Sequence, residues 1–286
     1  MTAVDIAAPD RASRRAHVET SAFPVVFMFL VVAGVGAASC ALALSGVLPY
    51  WAAAAINFLV LYFFAHFNHE AVHGNICGVR TEWRWLNEAV GLFGGFFLLL
   101  PLPIFRTVHL AHHRMPNHPE LDGDLWMAGR NPLTTFLRCT TLLVGYEIRL
   151  WRLVRRGLAP ARALWETWAW RGLALVMIAA ATAAGYGWEI LILWIGPALT
   201  VTPLLAWQFA YIVHYPHHHG DPHQASRVLM AKDKRLQPLL TAMFLFQNYH
   251  LVHHLNPRAP FYRYGELYRA MEKDLRDRKA AIATVM

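Results

Sequence analysis

Between Ala22 and Val79 the chain carries no Lys or Arg, and none occurs from Gly172 to Ser226. Each of these tracts holds apolar runs close to the roughly 20 residues that a helix needs to cross a bilayer. Residues 22–48 (AFPVVFMFLVVAGVGAASCALALSGVL) and 51–67 (WAAAAINFLVLYFFAHF) form one candidate hairpin, turned at Pro49 and Tyr50. Residues 172–186 and 188–213 form a second, broken at Gly185, Tyr186 and Gly187. In hydrocarbon the backbone must pair within its own segment, so runs of this length read as helices. Only 15% of the residues are charged, against about 25% in soluble domains.

A fifth apolar stretch, LNEAVGLFGGFFLLLPLPIF at 86–105, contains Gly94, Gly95, Pro101 and Pro103. Helix breakers at membrane depth are tolerated where protein covers the backbone, which favours a re-entrant or interfacial segment over a full crossing. The 26 Lys and Arg lie in the N-terminal tail, in 80–171 and in 227–279. Positive residues mark the cytoplasmic side. The expected architecture is therefore an all-α integral protein of the cell (inner) membrane, with about four transmembrane helices in two hairpins, one re-entrant segment and a His-rich cap. Both termini and the cap are expected to be cytoplasmic.

The net charge of +8 reads as that basic face, suited to anionic lipid or an acidic redox partner. Nucleic acid is not an expected partner, since no basic, aromatic-interleaved fold is present. Residues 1–20 read as a disordered polar tail and 21–286 as one membrane domain, with no cleavable signal peptide. Cys40, Cys77 and Cys139 form no CxxC pair or haem-attachment motif, so neither a disulfide framework nor a built-in electron carrier is indicated.

Within this apolar chain stand 16 histidines. HEAVH places His69 and His73 four apart, HLAHH places His109, His112 and His113 in a three-then-one pattern, and HLVHH repeats that pattern with His250, His253 and His254. Residues three and four apart share a helix face. One such box alone reads equally well as a solvated polar turn. Three of them on the same charge-defined side point to a metal centre, because ionisable groups near membrane depth are costly without a function. Eight imidazoles exceed the three or four ligands that one tetrahedral zinc takes, so two ions are expected. Imidazole suits iron, copper, nickel and zinc, and leaves the metal open.

A fourth group, HYPHHHGDPH, supplies His214, His217, His218, His219 and His223, of which at least one is expected to complete the metal shell. His66 reads as packing or as support to a ligand, and His118 as a loop or support residue. Asp122 and Asp124 can orient imidazoles by accepting their second N–H or serve only the turn at Gly123. Glu70, next to His69, is expected to point away from the face shared by His69 and His73. His17, in the charged tail, is expected to have no role.

The trio of boxes, with hairpins between the first two and the last, resembles the membrane fatty acid desaturase and hydroxylase superfamily over roughly residues 50–270. The resemblance implies two non-haem iron ions at the cytoplasmic mouth of a four-helix membrane bundle. It further implies O2-dependent oxidation of an unactivated C–H bond in a lipid, with electrons from an external ferredoxin, rubredoxin or cytochrome b5. The stretches FRTVHLAHHRMPNHPELDGDLWMAGRNP and QNYHLVHHLNPRAPFYRYGELY are similar to bacterial β-carotene ring hydroxylases, and also to bacterial proteins called simply desaturases. That subgroup often has Asp where His118 stands, and Asp-Ala-Ser where box one here has Glu-Ala-Val. Its extra ligand follows a Pro, which matches Pro216 and His217, so His217 is the expected ninth ligand and His214 the alternative. A carotenoid ring is thus preferred over a fatty acyl chain, and hydroxylation and desaturation both stay open.

Phe63, Phe64, Phe96, Phe97, Trp207 and Phe209 are candidates for an apolar tunnel, although aromatics at helical spacing also serve plain packing. Two other function classes compete with the oxidoreductase. A metal transporter should line a path through the bilayer, yet the hairpin turns hold no histidine. A zinc-dependent membrane hydrolase would use HEAVH as an HExxH motif with Glu70 as base, which leaves the other two boxes unexplained.

Overall fold

The computed structural model describes residues 23–285. The tail read as disordered, with His17, lies outside them. Helix α1 (Phe23–Leu44) and α2 (Tyr50–Val72) form the first hairpin. A bent pair follows, α3 (Arg84–Phe97) and α4 (Leu102–Arg114), then two shorter helices, α5 (Pro132–Thr140) and α6 (Leu142–Arg155). The second hairpin is α7 (Arg162–Ala183) and α8 (Gly187–His214). The C-terminal part adds α9 (Gln237–Met243), α10 (His250–Leu255) and α11 (Tyr264–Asp277).

Three helices, α1, α2 and α8, are long and apolar enough to cross a membrane, and a fourth crossing is counted if the bent pair is one span. The expected crossing at 172–186 is the second half of α7. That helix starts earlier, and Arg162, Glu166 and Arg171 make its first half polar. Its lipid-type surface is nonetheless plain, with Leu173, Leu175 and Val176 exposed and Trp165 and Trp168 exposed near its start, where amphipathic rings favour a membrane interface.

The bent pair meets at 103°. Its two ends lie together, because His73, just before it, stands 2.9 Å from His109 near its end. The chain therefore goes in and returns to the depth it left, which is re-entrant geometry. Gly95 makes the elbow possible, since a Cβ there would lie 2.7 Å from Leu100 O and 2.9 Å from Leu102 N. Both neighbours are backbone atoms and cannot swing aside. Gly95→Ala is expected to cost about 1–3 kcal/mol and to lower the yield of monodisperse protein in detergent, read by size-exclusion chromatography.

Helix α8 is not a regular α-helix. It widens into π turns at Leu191–Ile195 and Ala206–Tyr211. Pro197 has no N–H for the carbonyl of Leu193, and the buried Asn57 of α2 donates to it instead at 2.8 Å. The second π turn brings Ala206, Phe209 and Ala210 to the central cavity.

One element falls outside the all-helical expectation. Strands β1 (Val228–Ala231) and β2 (Ile282–Val285) pair in parallel, with Val228 opposite Ile282. They fix box three: Leu251 N donates to Arg227 O and Asn248 Nδ2 to Leu229 O.

Candidate metal centre

Boxes one and two sit where a helix ends, and box three fills the short helix α10. Box one closes α2, and Gly74, at φ +70°, lets the chain leave in a left-handed turn with Asn75 N donating to Glu70 O. Asn75 Nδ2 then donates to Pro257 O and Ala259 O, both at 3.1 Å, and Phe261 N donates to Glu70 Oε2 at 3.2 Å. These bonds clamp the exit of box three onto box one. Box two closes α4, and the loop after it is tied across by Asn117 Nδ2, which donates to His218 O and Ala225 O at 2.7 Å each.

Nine imidazoles converge in two groups, His69, His73, His109, His113 and His253 in one, and His112, His214, His250 and His254 in the other. In the first, neighbouring Nε2 atoms are 2.9–3.1 Å apart across His73–His109, His109–His113, His113–His253 and His253–His69. In the second, the His112–His254, His254–His250 and His250–His214 separations are 3.1, 3.1 and 2.9 Å. Donors about 2.1 Å from one metal stand about 3.0 Å apart at right angles and about 3.4 Å apart at the tetrahedral angle. The observed edges lie nearer the right-angled spacing than the tetrahedral one. The groups adjoin: the rings of His113 and His254 stack at 4.2 Å.

The second ring nitrogens of four of these imidazoles are held from outside. His112 Nδ1 meets Asp122 Oδ1 at 2.8 Å, His214 Nδ1 meets Ala225 O at 2.9 Å, His250 Nδ1 meets Gln247 Oε1 at 2.7 Å and His253 Nδ1 meets the Tyr264 hydroxyl at 2.7 Å. Placing the proton on Nδ1 leaves the Nε2 lone pair free for a metal. Burial, reinforced by the neighbouring imidazoles, holds His250, His253 and His254 well below the ordinary histidine value, so all three are neutral at physiological pH. Neutral imidazole is the ligating form. Burial lowers His112, but the carboxylates of Asp122 and Asp124 outweigh that and hold it at about 9, so a metal binding there displaces a proton. Burial likewise raises the Asp122 carboxyl, but the charged His112 and the Asn117 N–H outweigh that and hold it at about 2. Tyr264→Phe, which leaves His253 without its outer partner, is expected to weaken metal retention about ten-fold, measured as the chelator concentration that strips half the metal.

His217 is not brought into either group. Its backbone takes φ +66° and its N–H donates to His214 O at 2.6 Å. The ring turns to Tyr211 and Tyr215, 5.3 and 6.3 Å away. His214, on the last turn of α8, stands in the second group instead. His218 is exposed, and His118 pairs edge-on with His219 in the loop, accepting from Glu120 N. Asp124 accepts from Tyr146 at 2.5 Å, and its Oδ2 lies 3.7 Å from His112 Nε2. Glu70 is fully buried, and its Oε1 lies 3.5 Å from His69 Nδ1, closer than its place in the box suggests. Gln247 and Tyr264 are absent from the sequence-based candidates. Gln247 precedes His250 by three residues, a spacing that can signal a partner, whereas Tyr264 carries no such mark.

An apolar cavity of about 90 Å³ opens on His69, His109 and His250. A single buried water needs roughly 10–15 Å³, so a chain end or ring edge can enter. Of the six candidate tunnel aromatics, Phe209 lines it. Phe64 and Phe97 line a separate pocket near Asn57 and Trp194. Phe96 stacks on Trp194 and Phe63 on Phe67, while Trp207 faces outward. Phe105, stacked on His109 at 5.1 Å, lines the cavity unforeseen.

Residues 45–285 match the family described as fatty acid desaturase. No curated protein matches the chain.

Proposed function

This chain belongs to the fatty acid desaturase family, membrane oxidoreductases of lipid, and from that premise we propose that its two histidine groups hold two iron ions that serve O2-dependent oxidation. His69, His73, His109, His113 and His253 would hold one ion, and His112, His214, His250 and His254 the other. When bound, the pair supplies the oxidising power to break an unactivated C–H bond, drawing electrons from an external donor such as a ferredoxin, rubredoxin or cytochrome b5. The observation that carries this reading is the near-right-angled spacing of the Nε2 atoms at the end of an apolar cavity.

The chain's own contribution is positioning. Leu98, Leu100, Leu205 and Phe209 line the cavity and keep water from the reacting carbon. Asp122, Gln247, Tyr264 and the Ala225 carbonyl fix the imidazole tautomers. Glu70 is engaged by the backbone of Phe261, which speaks against a hydrolase with Glu70 as base. All nine imidazoles gather at one end of the bundle, which speaks against a transport path.

A carotenoid β-ring is our preferred substrate over a fatty acyl chain, supported by the two sequence stretches around boxes two and three. Expression in one host that makes β-carotene and one that does not, with mass spectrometry of pigments and fatty acids, tests this. Pigments heavier by oxygen support the carotenoid reading. A fatty acid lighter by two hydrogens, with pigments unchanged, replaces it by acyl desaturation. No change in either, together with purified protein that binds zinc but no iron, would overturn the oxidase reading. We place the histidine cap and both termini in the cytoplasm, on the distribution of Lys and Arg. A fluorescent protein fused after residue 286 should then fluoresce in a bacterial host, and a dark but correctly inserted fusion would reverse the orientation.

A further inference from the structure

The cavity beside the metal centre is lined by apolar side chains, by the histidine groups and by Asp124, Tyr146, Thr202 and Gln247, which are hydrogen-bonded within the protein. Asn68 and His66, both on α2, line it, and they are 1% and 3% exposed. Asn68 Nδ2, Asn68 Oδ1 and His66 Nε2 have no hydrogen-bond partner in the protein. The Asn68 amide lies at the elbow of the bent pair, with Nδ2 3.1 Å from where a Cβ on Gly95 would stand. His66 is held edge-on against Phe261 at 4.2 Å, so its ring is fixed although its Nε2 is unpaired. An amide with both ends unpaired in an apolar pocket costs as much as lost hydrogen bonds, and such groups are found paired in folded proteins. A purely hydrocarbon ligand would leave these atoms unpaired.

We propose that this cavity takes a lipid end bearing oxygen, a hydroxyl or carbonyl group, and that Asn68 and His66 bind that oxygen. A hydroxyl both donates and accepts, and so serves Asn68 Oδ1 with its proton and Asn68 Nδ2 or His66 with its lone pairs. Asn68 is the residue before His69, with Cα atoms about 3.8 Å apart. The oxygen would therefore sit within a few bonds of the carbon that reacts. The substrate is then a lipid already functionalised near that carbon, on the carotenoid reading a ring that bears a hydroxyl or carbonyl group and is taken in preference to the unsubstituted ring of β-carotene, and an earlier oxygenation or hydrolysis must supply it.

This inference rests on the oxidoreductase reading for its chemistry, but its test reads binding. Purified, metal-loaded protein in detergent, without electron donor, is incubated in one arm with β-carotene or zeaxanthin and in the other with hexadecane or 1-hexadecanol. Ligand retained per chain after gel filtration is measured by absorbance or mass spectrometry. Wild type is expected to retain the oxygenated member of at least one pair about ten-fold more than its hydrocarbon, the weight of one buried hydrogen bond. The arm that shows the preference identifies a ring or a chain as the source. Asn68→Leu should bring that ratio to about one with metal content unchanged. Should that variant fail to fold, His66→Phe is read in its place and should reduce the same ratio at least three-fold, roughly the lower range of a hydrogen bond's worth.

Equal retention within both pairs, or a preference that survives in the folded variant, overturns the inference. In a second incubation with an electron donor added, oxidation of the hydrocarbons as fast as their oxygenated counterparts also overturns it and leaves the oxidoreductase reading intact. A retention preference in a protein that oxidises none of the four compounds and binds zinc but no iron sustains the inference and removes that reading.

Discussion

Replacing His253 by alanine is expected to leave purified protein with about one iron per chain or less, instead of about two, and with no detectable oxidised lipid. His253 is fully buried, and its Nε2 lies 3.0 Å from those of both His69 and His113. It is therefore a shared corner of the five-histidine group, and its loss opens the ring of donors. Alanine also leaves the Tyr264 hydroxyl facing a void. Iron per chain by elemental mass spectrometry, with product analysis on the same preparation, checks this; two irons and full activity would refute the five-histidine site. A paired comparison decides the ninth position. His214→Ala should lose metal in the same way, while His217→Ala, whose ring nitrogens bond nothing in the protein, should keep it.

That pair of neighbours also shows what the sequence could and could not reveal. The three boxes were legible because their spacing is a property of the helix itself, so His69 with His73, and His250 with His254, share faces wherever their helices are placed. The position of His214 was not. It depends on α8 ending in a tight turn at Ile212–His214 and on His217 then taking a left-handed conformation, and both follow from packing against the loop after box two. A Pro-His pair in the sequence pointed to His217, whereas the fold brings His214 into the second histidine group. Glu70 illustrates the same limit. Helical periodicity puts it off the His69–His73 face, yet the clamp from Phe261 draws its carboxylate beside the His69 ring. The re-entrant segment was readable from Gly94, Gly95, Pro101 and Pro103, because Gly95 lets the backbone at the elbow come close and Pro101 and Pro103 suit the start of a new helix. The start of α7 at Arg162 was not, since its polar first half looks like a loop when scanned for hydropathy. Asn68 and His66 sit in an apolar run where neither has a motif, and only the cavity gives them meaning.

The second large effect is expected at Asp122, a residue that touches no metal. Its buried carboxylate accepts from His112 Nδ1 at 2.8 Å, from Asp124 N at 2.7 Å and from Asn117 N at 2.5 Å. Asn117 in turn donates to Ala225 O, the same carbonyl that meets His214 Nδ1. One carboxylate thus fixes two of the four imidazoles in the second group, His112 directly and His214 through Asn117. Asp122→Asn keeps the shape, but if Oδ1 stays on His112 and Asp124, the new amide N–H2 faces the N–H of Asn117, donor against donor. Metal retention in the four-histidine group is expected to fall by about 10–100-fold, and the five-histidine group to keep its ion. Iron should then drop from about two to about one per chain under a chelator challenge that wild type survives, and Mössbauer spectra should lose one of two iron environments. Acid should not reproduce this near neutrality. The carboxyl is held at about 2 in the fold, against about 3.9 in an unfolded chain. Its contribution is complete above the unfolded value and is lost only as the pH falls through the lower one. Wild-type retention should therefore show no loss from protonation of the Asp122 carboxyl itself between about pH 6 and 9, while the Asn variant is weak throughout. Glu120→Gln, two residues away and exposed, should behave as wild type. An Asp122→Asn protein that holds both ions as firmly as wild type would show that His112 and His214 are placed by their helices alone.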